Sequence, residues 1–234
     1  MMQSKILTFA CLFLVTQTLA QSLGFGILPM PQATRQSDTR QAKTISDLYP
    51  AYPASWVKSY VRVDLAVTRH GETFHARGSN LNFNNLQSQL LNTASSGAVI
   101  QLTVTYYPNN DLPKEVKQMD FTLYVIPDED AMFPGGKETL EAYLKENAID
   151  PLSKYADAGL HQAKVRFTIS STGEVLEASL SERSPFNAVN DILLQTITSM
   201  PRWIPACNND GISASQDFEF IVTRDLCGFG SLMQ

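Results

Sequence analysis

The chain has 234 residues, of which 44% are hydrophobic and 18% charged, a composition typical of a globular protein with one large or two small domains. The net charge of −5 is spread along the chain without a basic patch. Nucleic acid and anionic membrane surfaces are therefore not expected as partners.

The first twenty residues, MMQSKILTFACLFLVTQTLA, have the layout of a secretory signal peptide. One lysine precedes an apolar run from Ile6 to Val15, and the small residue Ala20 ends the segment before Gln21. The alternative is an uncleaved membrane anchor, but the run is shorter than the roughly 20 apolar residues that a spanning helix needs. We therefore predict a cleaved signal peptide over residues 1–20 and export of the rest of the chain.

Removal of the signal peptide leaves two cysteines, Cys207 and Cys227, in an oxidising compartment. An even pair of cysteines in an exported chain favours a disulfide bond. The alternative is that the two thiols are buried or free.

Residues 21–46 are rich in Gln, Ser, Thr and Pro and show no sustained hydrophobic period. This pattern predicts a flexible linker.

The sequence pattern of residues 47–128 predicts a first domain with its elements in the order ββαββ. YVRVDLAVT alternates apolar and polar residues as a half-buried strand does, and the turn at Gly71 returns the chain as ETFHARG. A helix is predicted in NFNNLQSQLLNTASSG, followed by the strands AVIQLTVTYY and MDFTLYVIP. The role of this domain is not indicated by its sequence.

The sequence pattern of residues 129–226 predicts a second domain with its elements in the order αββαβ. A tail over residues 227–234 should follow it. Its first helix should end before Pro151, and two strands, a helix with Pro185 in its first turn and the strand QDFEFIVTR should follow. The fold class is therefore α+β, with two small domains that each pack helices on an antiparallel sheet.

The chain shows no motif of a catalytic, metal or cofactor site. His70, His75 and His161 are best interpreted as surface residues, since no third ligand lies near any pair of them in the pattern. Asp128 and Asp130 lie between the domains, where the expected structure is a solvated linker and a weak cation site is the alternative. We expect no enzyme, no metal and no cofactor.

Three stretches of the second domain resemble the carboxy-terminal domain of TonB-type energy transducers, in the form common in the Bacteroidota. They are FPGGKETLEAYLKENAIDPL, GLHQAKVRFTISSTGEVLEASL and SMPRWIPACNNDG, followed by a final strand, and the resemblance covers residues 132–224. Its most specific parts are the entry to the first helix, the glycine of the hairpin turn and the Met-Pro-x-Trp-x-Pro element: Pro134, Gly135, Gly136, Gly173, Met200, Pro201, Trp203 and Pro205. We interpret Trp203 as a core anchor that positions the last strand, with direct ligand contact as the alternative.

The resemblance implies a domain in the periplasm that binds the amino-terminal box peptide of an outer-membrane TonB-dependent transporter. In the family the peptide is added as a strand beside the last strand of the sheet, because an edge strand offers unpaired backbone groups. The corresponding residues here are Phe218, Glu219, Phe220, Ile221, Val222 and Thr223. A proline at Phe220 should then abolish partner binding.

The chain also departs from the family pattern. Family transducers have an uncleaved inner-membrane helix and a long spacer, whereas a random coil of this linker's length would reach only about 25 to 30 Å. The main hypothesis is therefore a non-enzymatic periplasmic binding protein that acts by strand addition in energy-coupled transport. One alternative is a short transducer anchored in the inner membrane and facing the periplasm, and another is a structural or assembly protein of the envelope that forms a homodimer through its sheet edges.

Overall fold

The computed structural model describes residues 23–30, 32–110, 115–156 and 158–224. Over these residues the chain is α+β and forms two units, each with helices packed on a sheet and each with a hydrophobic core of its own. The described residues begin with two strands and two short helices: β1 (Gly24–Pro29), β2 (Ala33–Arg35), α1 (Gln36–Gln41) and α2 (Ile45–Leu48).

The amino-terminal unit has the predicted order ββαββ. Its elements are a 3-10 turn at Ala54–Trp56, β3 (Val57–Arg69), β4 (Glu72–Gly78), α3 (Asn85–Asn92), β5 (Val99–Pro108) and β6 (Lys117–Ile126). The predicted alternation in β3 is confirmed for Val63, Leu65 and Val67, which are fully buried on one face of the sheet, but is wrong for Val61, which is exposed at a register shift in the pairing with β5. The hairpin between β3 and β4 turns at His70 and Gly71. Both residues have positive φ, as the type I′ turn of a two-residue hairpin loop requires.

The carboxy-terminal unit has the predicted order αββαβ. Its elements are α4 (Gly136–Leu144), a π-helical turn (Lys145–Ile149), α5 (Asp150–Ala156), β7 (Gln162–Ile169), β8 (Val175–Glu182), α6 (Asn187–Thr198), the short hairpin β9 (Ala206–Cys207) and β10 (Ser213–Ala214), and β11 (Gln216–Thr223). The sheet order is β1-β11-β7-β8, and all its strand pairs are antiparallel.

The expected end of the first helix before Pro151 is wrong, because helical backbone continues to Ala156. Proline has no N–H to donate to the carbonyl four residues earlier, which belongs to Asn147. The Thr196 hydroxyl donates to this Asn147 oxygen at 2.9 Å instead. The widened π turn and this tertiary hydrogen bond allow the helix to pass the proline.

The prediction of a flexible linker over residues 21–46 is also wrong for the part that the structure describes. β1 pairs with β11, and β2 pairs in parallel with β6, so the segment adds one strand to each sheet. Thr44 and Asp47 form a capping box at the start of α2, and Ile45 is fully buried in the core of the amino-terminal unit. The segment becomes ordered through partners distant in sequence, so its own composition does not indicate its structure.

Residues 1–20, predicted as a signal peptide, lie outside the described residues. In the described ranges, no helix combines the length and the hydropathy that a membrane span requires.

Candidate strand-addition site

The strand predicted to bind a peptide at an open sheet edge is not at an edge. β11 pairs with β7 on one side and with β1 on the other, and the pairing with β1 covers all six predicted binding residues. Those residues are Phe218, Glu219, Phe220, Ile221, Val222 and Thr223, opposite Pro29, Leu28, Ile27, Gly26, Phe25 and Gly24 in that order. The predicted open edge is thus corrected to a paired one, because the supposed linker supplies the covering strand.

β11 alternates between two environments along its length. Phe218, Phe220 and Val222 are buried on the face that meets the helices, whereas Glu219 and Ile221 are half-buried on the other face. Glu219 accepts a hydrogen bond from the Ser181 hydroxyl at 2.8 Å. Side chains that approach β11 from a neighbouring strand therefore meet an apolar surface on one face only.

β1 presents its apolar side chains on the same face as the buried residues of β11, opposite Phe220 and Val222. Leu23, just before the strand, is buried in the core of the carboxy-terminal unit, and Phe25 and Ile27 pack against that core. Gly24 and Gly26 lie between these apolar residues. Among the described residues the outer edge of β1 has no strand beside it, so β1 is the present edge of this sheet.

The elements that carry the family resemblance come together beneath β11. The Trp203 ring, only 4% exposed, lies edge-on to Phe133 at 5.5 Å between centroids, and it also contacts Phe167 at 6.3 Å and Phe218 at 5.6 Å. The backbone N–H of Trp203 donates to the Gly173 carbonyl at 2.8 Å. Trp203 thus joins the helix entry, the hairpin turn and the last strand, as expected for a core anchor.

The flanking motif residues shape this junction. Met132 and Ile204 exchange two backbone hydrogen bonds of 2.9 and 2.8 Å, on either side of the Trp203 cluster. Gly135 and Gly136, which follow Pro134, have φ of +84° and +82° and direct the chain into α4. α6 ends at Thr198, after which Met200 is buried, Pro201 is exposed and Pro205 is half-buried. These residues support β11, and nothing in the geometry aims them at a ligand.

Asp130 connects the two units and is not part of a solvated linker. Both of its oxygens accept from the Arg35 guanidinium at 2.7 Å, and Oδ1 also accepts from Gln216 Nε2 at 2.6 Å. Gln216 in turn accepts from the Ala131 N–H at 2.8 Å. Asp130 therefore joins the residue that ends β2 to the residue that begins β11.

Asp128 makes a second connection of the same kind. Its oxygens accept from the backbone N–H groups of Ser37 at 2.8 Å and Asn209 at 2.9 Å. In the described part of the chain no cluster of three or more His, Cys, Asp and Glu residues could hold a metal ion. The two carboxylates act as acceptors between the units.

Replacing Asp130 with Asn is expected to lower the free energy of unfolding at pH 7 by about 1 kcal/mol, because a partly exposed bidentate ion pair is lost. The Arg35 hydrogen bonds hold the pKa of Asp130 below its ordinary value. Its contribution is therefore present above the unfolded-state pKa of about 4 and is lost as the pH falls through the folded-state value. Urea unfolding from pH 3 to 7 should show wild type and D130N converging below about pH 4.

A matched control is Asp210→Asn. Asp210 also faces a residue of the other segment, Arg40, but at 3.9 Å and with 65% of its side chain exposed. This variant should unfold as wild type does throughout the pH range. A constant difference between wild type and D130N at every pH would contradict the role given to Asp130.

Cys207 lies next to a carboxylate. Its thiol donates to Glu129 Oε2 at 3.0 Å, and this hydrogen bond raises the pKa of the thiol above its ordinary value. Backbone hydrogen bonds also join Glu129 and Cys207 in both directions. The predicted disulfide partner, Cys227, lies outside the described residues.

Comparisons of the chain with protein-family models, with curated proteins and with solved structures found no match. The resemblance over residues 132–224 therefore remains a prediction.

Proposed function

We propose that the chain is a non-enzymatic binding protein of the cell envelope, and that its carboxy-terminal unit binds an extended partner segment by strand addition beside β11. The partner that the resemblance implies is the box peptide of an outer-membrane TonB-dependent transporter, met in the periplasm after export. Binding of this kind would serve energy-coupled transport without a metal or a cofactor.

The observation that supports this proposal is the pairing of β11 with an extended segment from the other end of the chain. Residues 24–29 lie antiparallel to residues 218–223 in an unbroken register, whereas the β7–β8 pairing has two register shifts. This flank of β11 therefore has the geometry that strand addition needs: a regular row of backbone groups and an apolar surface beside them. The segment that uses it comes from outside the αββαβ unit.

Photo-crosslinking in native envelopes tests the proposal. A photoreactive amino acid at Ile221, half-buried on β11, should capture a partner, and tandem mass spectrometry should map the captured residues. The expected product is an extended amino-terminal segment of an outer-membrane transporter. The control carries the same amino acid at His75 on β4, at the exposed edge of the other unit's sheet, and should not give this product.

Products confined to the chain's own residues would contradict the proposal. Products between two copies would favour the assembly protein that self-associates, an alternative supported by the strand edges at β1 and β8. The oligomeric mass at micromolar concentration then decides, since a strict monomer contradicts that alternative.

A further inference from the structure

We infer that β1 is an exchangeable strand that occupies the binding site of the chain's own ligand, and that its sequence specifies that ligand. The ligand is an uncharged extended segment that lies antiparallel to β11, with large apolar side chains at the positions of Phe25 and Ile27 and small residues at those of Gly24 and Gly26. This inference rests on the proposed function, because it concerns the same flank of β11.

β1 and a ligand cannot pair with β11 at the same time. β1 pairs with all of residues 218–223, and β7 occupies the opposite side of β11. Each strand has only two hydrogen-bonding edges, so no row of backbone groups on β11 is left for a second segment. A ligand therefore reaches β11 only when β1 has left.

The side chains of β1 make fewer contacts that hold it to β11 than those of β7 do. None of its six side chains, GFGILP, is polar, so only backbone hydrogen bonds and apolar contacts bind it to β11. Phe25 and Ile27 are only half-buried, and two glycines lower the strand propensity.

On the other side of β11, the side chains of β7 make several specific contacts. Val165, Phe167 and Ile169 are fully buried, Phe167 stacks on Phe218, and Thr168 donates to Asp217 at 2.6 Å. The two neighbours of β11 thus differ in kind, with β7 part of the core and β1 added at the margin.

The two faces of β11 favour different side chains on a ligand. In the observed register Ile27 lies opposite Phe220 and Phe25 opposite Val222, on the apolar face of β11. On the other face Gly26 lies opposite Ile221 and Leu28 lies opposite Glu219, whose carboxylate is already hydrogen-bonded to Ser181. A segment with apolar residues at alternate positions and uncharged residues between them fits these surroundings, whereas a charged one would bury its charge against the core.

β1 stays covalently linked to β2 when it leaves β11. Only residues 30–32 separate it from β2, and the Arg35 contact with Asp130 fixes the end of β2. A strand on so short a tether competes at an effective concentration in the millimolar range. The wild-type chain should therefore bind a free peptide weakly, and weakening β1 should strengthen that binding at least tenfold.

The test uses a fluorescent synthetic peptide, SLGFGILPM, a copy of residues 22–30, and fluorescence anisotropy with the full exported chain. The variant Phe25→Ser with Ile27→Ser removes the two apolar side chains of β1 that pack against the core and should bind the peptide at least tenfold more tightly than wild type. A control peptide with serine at the same two positions should not bind measurably.

A crosslinked variant supplies the matched control in a single protein. Leu28 and Glu219 lie directly opposite each other, so a Leu28→Cys, Glu219→Cys pair in a chain whose other cysteines are serine can form a disulfide across β1 and β11. The oxidised protein should not bind the peptide, and reduction of the same protein should restore measurable binding.

Four results would overturn the inference. Equal binding by the oxidised and reduced proteins would place the peptide elsewhere and leave strand addition at another edge intact. Loss of cooperative unfolding in the double serine variant would make β1 an integral strand, and a dimer formed by exchange of β1 would make the occupant a second copy. If the variant folds as a monomer and still binds no peptide, the inference is wrong, while transporter capture from Ile221 decides the proposed function independently.

Discussion

Replacing Gly173 with alanine is expected to destabilise the carboxy-terminal unit by about 3 kcal/mol or more, because two costs add at this position. Gly173 has φ of +84°, a conformation that an L side chain rarely adopts. A Cβ atom there would also overlap the backbone carbonyl oxygen of Trp203, which is backbone and cannot rotate away. The hairpin turn and the Trp203 segment would have to separate. The backbone N–H of Trp203 would then lose its hydrogen bond to the Gly173 carbonyl.

Gly136→Ala separates the two costs. Gly136 has nearly the same φ, +82°, but a Cβ atom there would meet nothing within 4 Å. Its substitution should cost about 1 kcal/mol, the conformational part alone.

Urea unfolding followed by tryptophan fluorescence measures the difference between the two variants. Trp203 is 4% exposed and Trp56 is 62% exposed, so the signal change on unfolding should come mainly from Trp203. Similar losses of stability in Gly173→Ala and Gly136→Ala would contradict the close contact between the turn and Trp203.

Both core sheets could be predicted from the sequence because their strands carry local signals. The alternation of Val63, Leu65 and Val67, and of Phe218 and Phe220, reports which side chains face the helices wherever the strand lies in its sheet. The glycine turns could be found for the same reason, since the need for positive φ at Gly71 and Gly173 is local.

β1 could not be predicted because nothing local specifies it. A six-residue segment with two glycines and a terminal proline has low strand propensity, and its partner is near the other end of the chain. The signal that could have found it is the alternation of Leu23, Phe25 and Ile27 within a segment otherwise rich in polar residues. Three apolar residues two apart are a weak pattern, and the composition around them favours a linker.

Asp130 and Pro151 were misinterpreted for a related reason. A carboxylate between two domains looks solvated until the residue that reaches it, Arg35, is placed there by β2. A proline ends a helix unless another group satisfies the carbonyl that it leaves, which Thr196 does from a different helix. In each case the deciding partner lies far away in the sequence.

The residues that carry the resemblance and the residues that cover β11 lie in different parts of the chain. Its most specific residues, among them Gly173 and Trp203, lie in the junction that supports β11, whereas the residues that cover β11 lie outside residues 132–224. The part of the site that distinguishes this chain from the family pattern is therefore the strand added from its amino-terminal segment.

Phe220→Pro is expected to unfold the carboxy-terminal unit, with a loss of about 4 kcal/mol or more, whereas the sequence alone suggested a loss of partner binding only. Phe220 is fully buried and lies between Val165 on β7 and Ile27 on β1. Proline there removes the backbone N–H of a central strand and deletes a large core side chain. A loss of binding in this variant would therefore say nothing about where a ligand binds.

Ile27→Pro, one strand outward in the same register, separates the two roles. Ile27 is half-buried on the marginal strand, where proline is tolerated better, so this change should remove β1 and cost only about 1 to 2 kcal/mol. Trp203 fluorescence should show cooperative urea unfolding for Ile27→Pro at a lower midpoint and no folded baseline for Phe220→Pro. If Ile27→Pro unfolds the unit as completely as Phe220→Pro does, β1 is a required part of the sheet and cannot give way to a ligand.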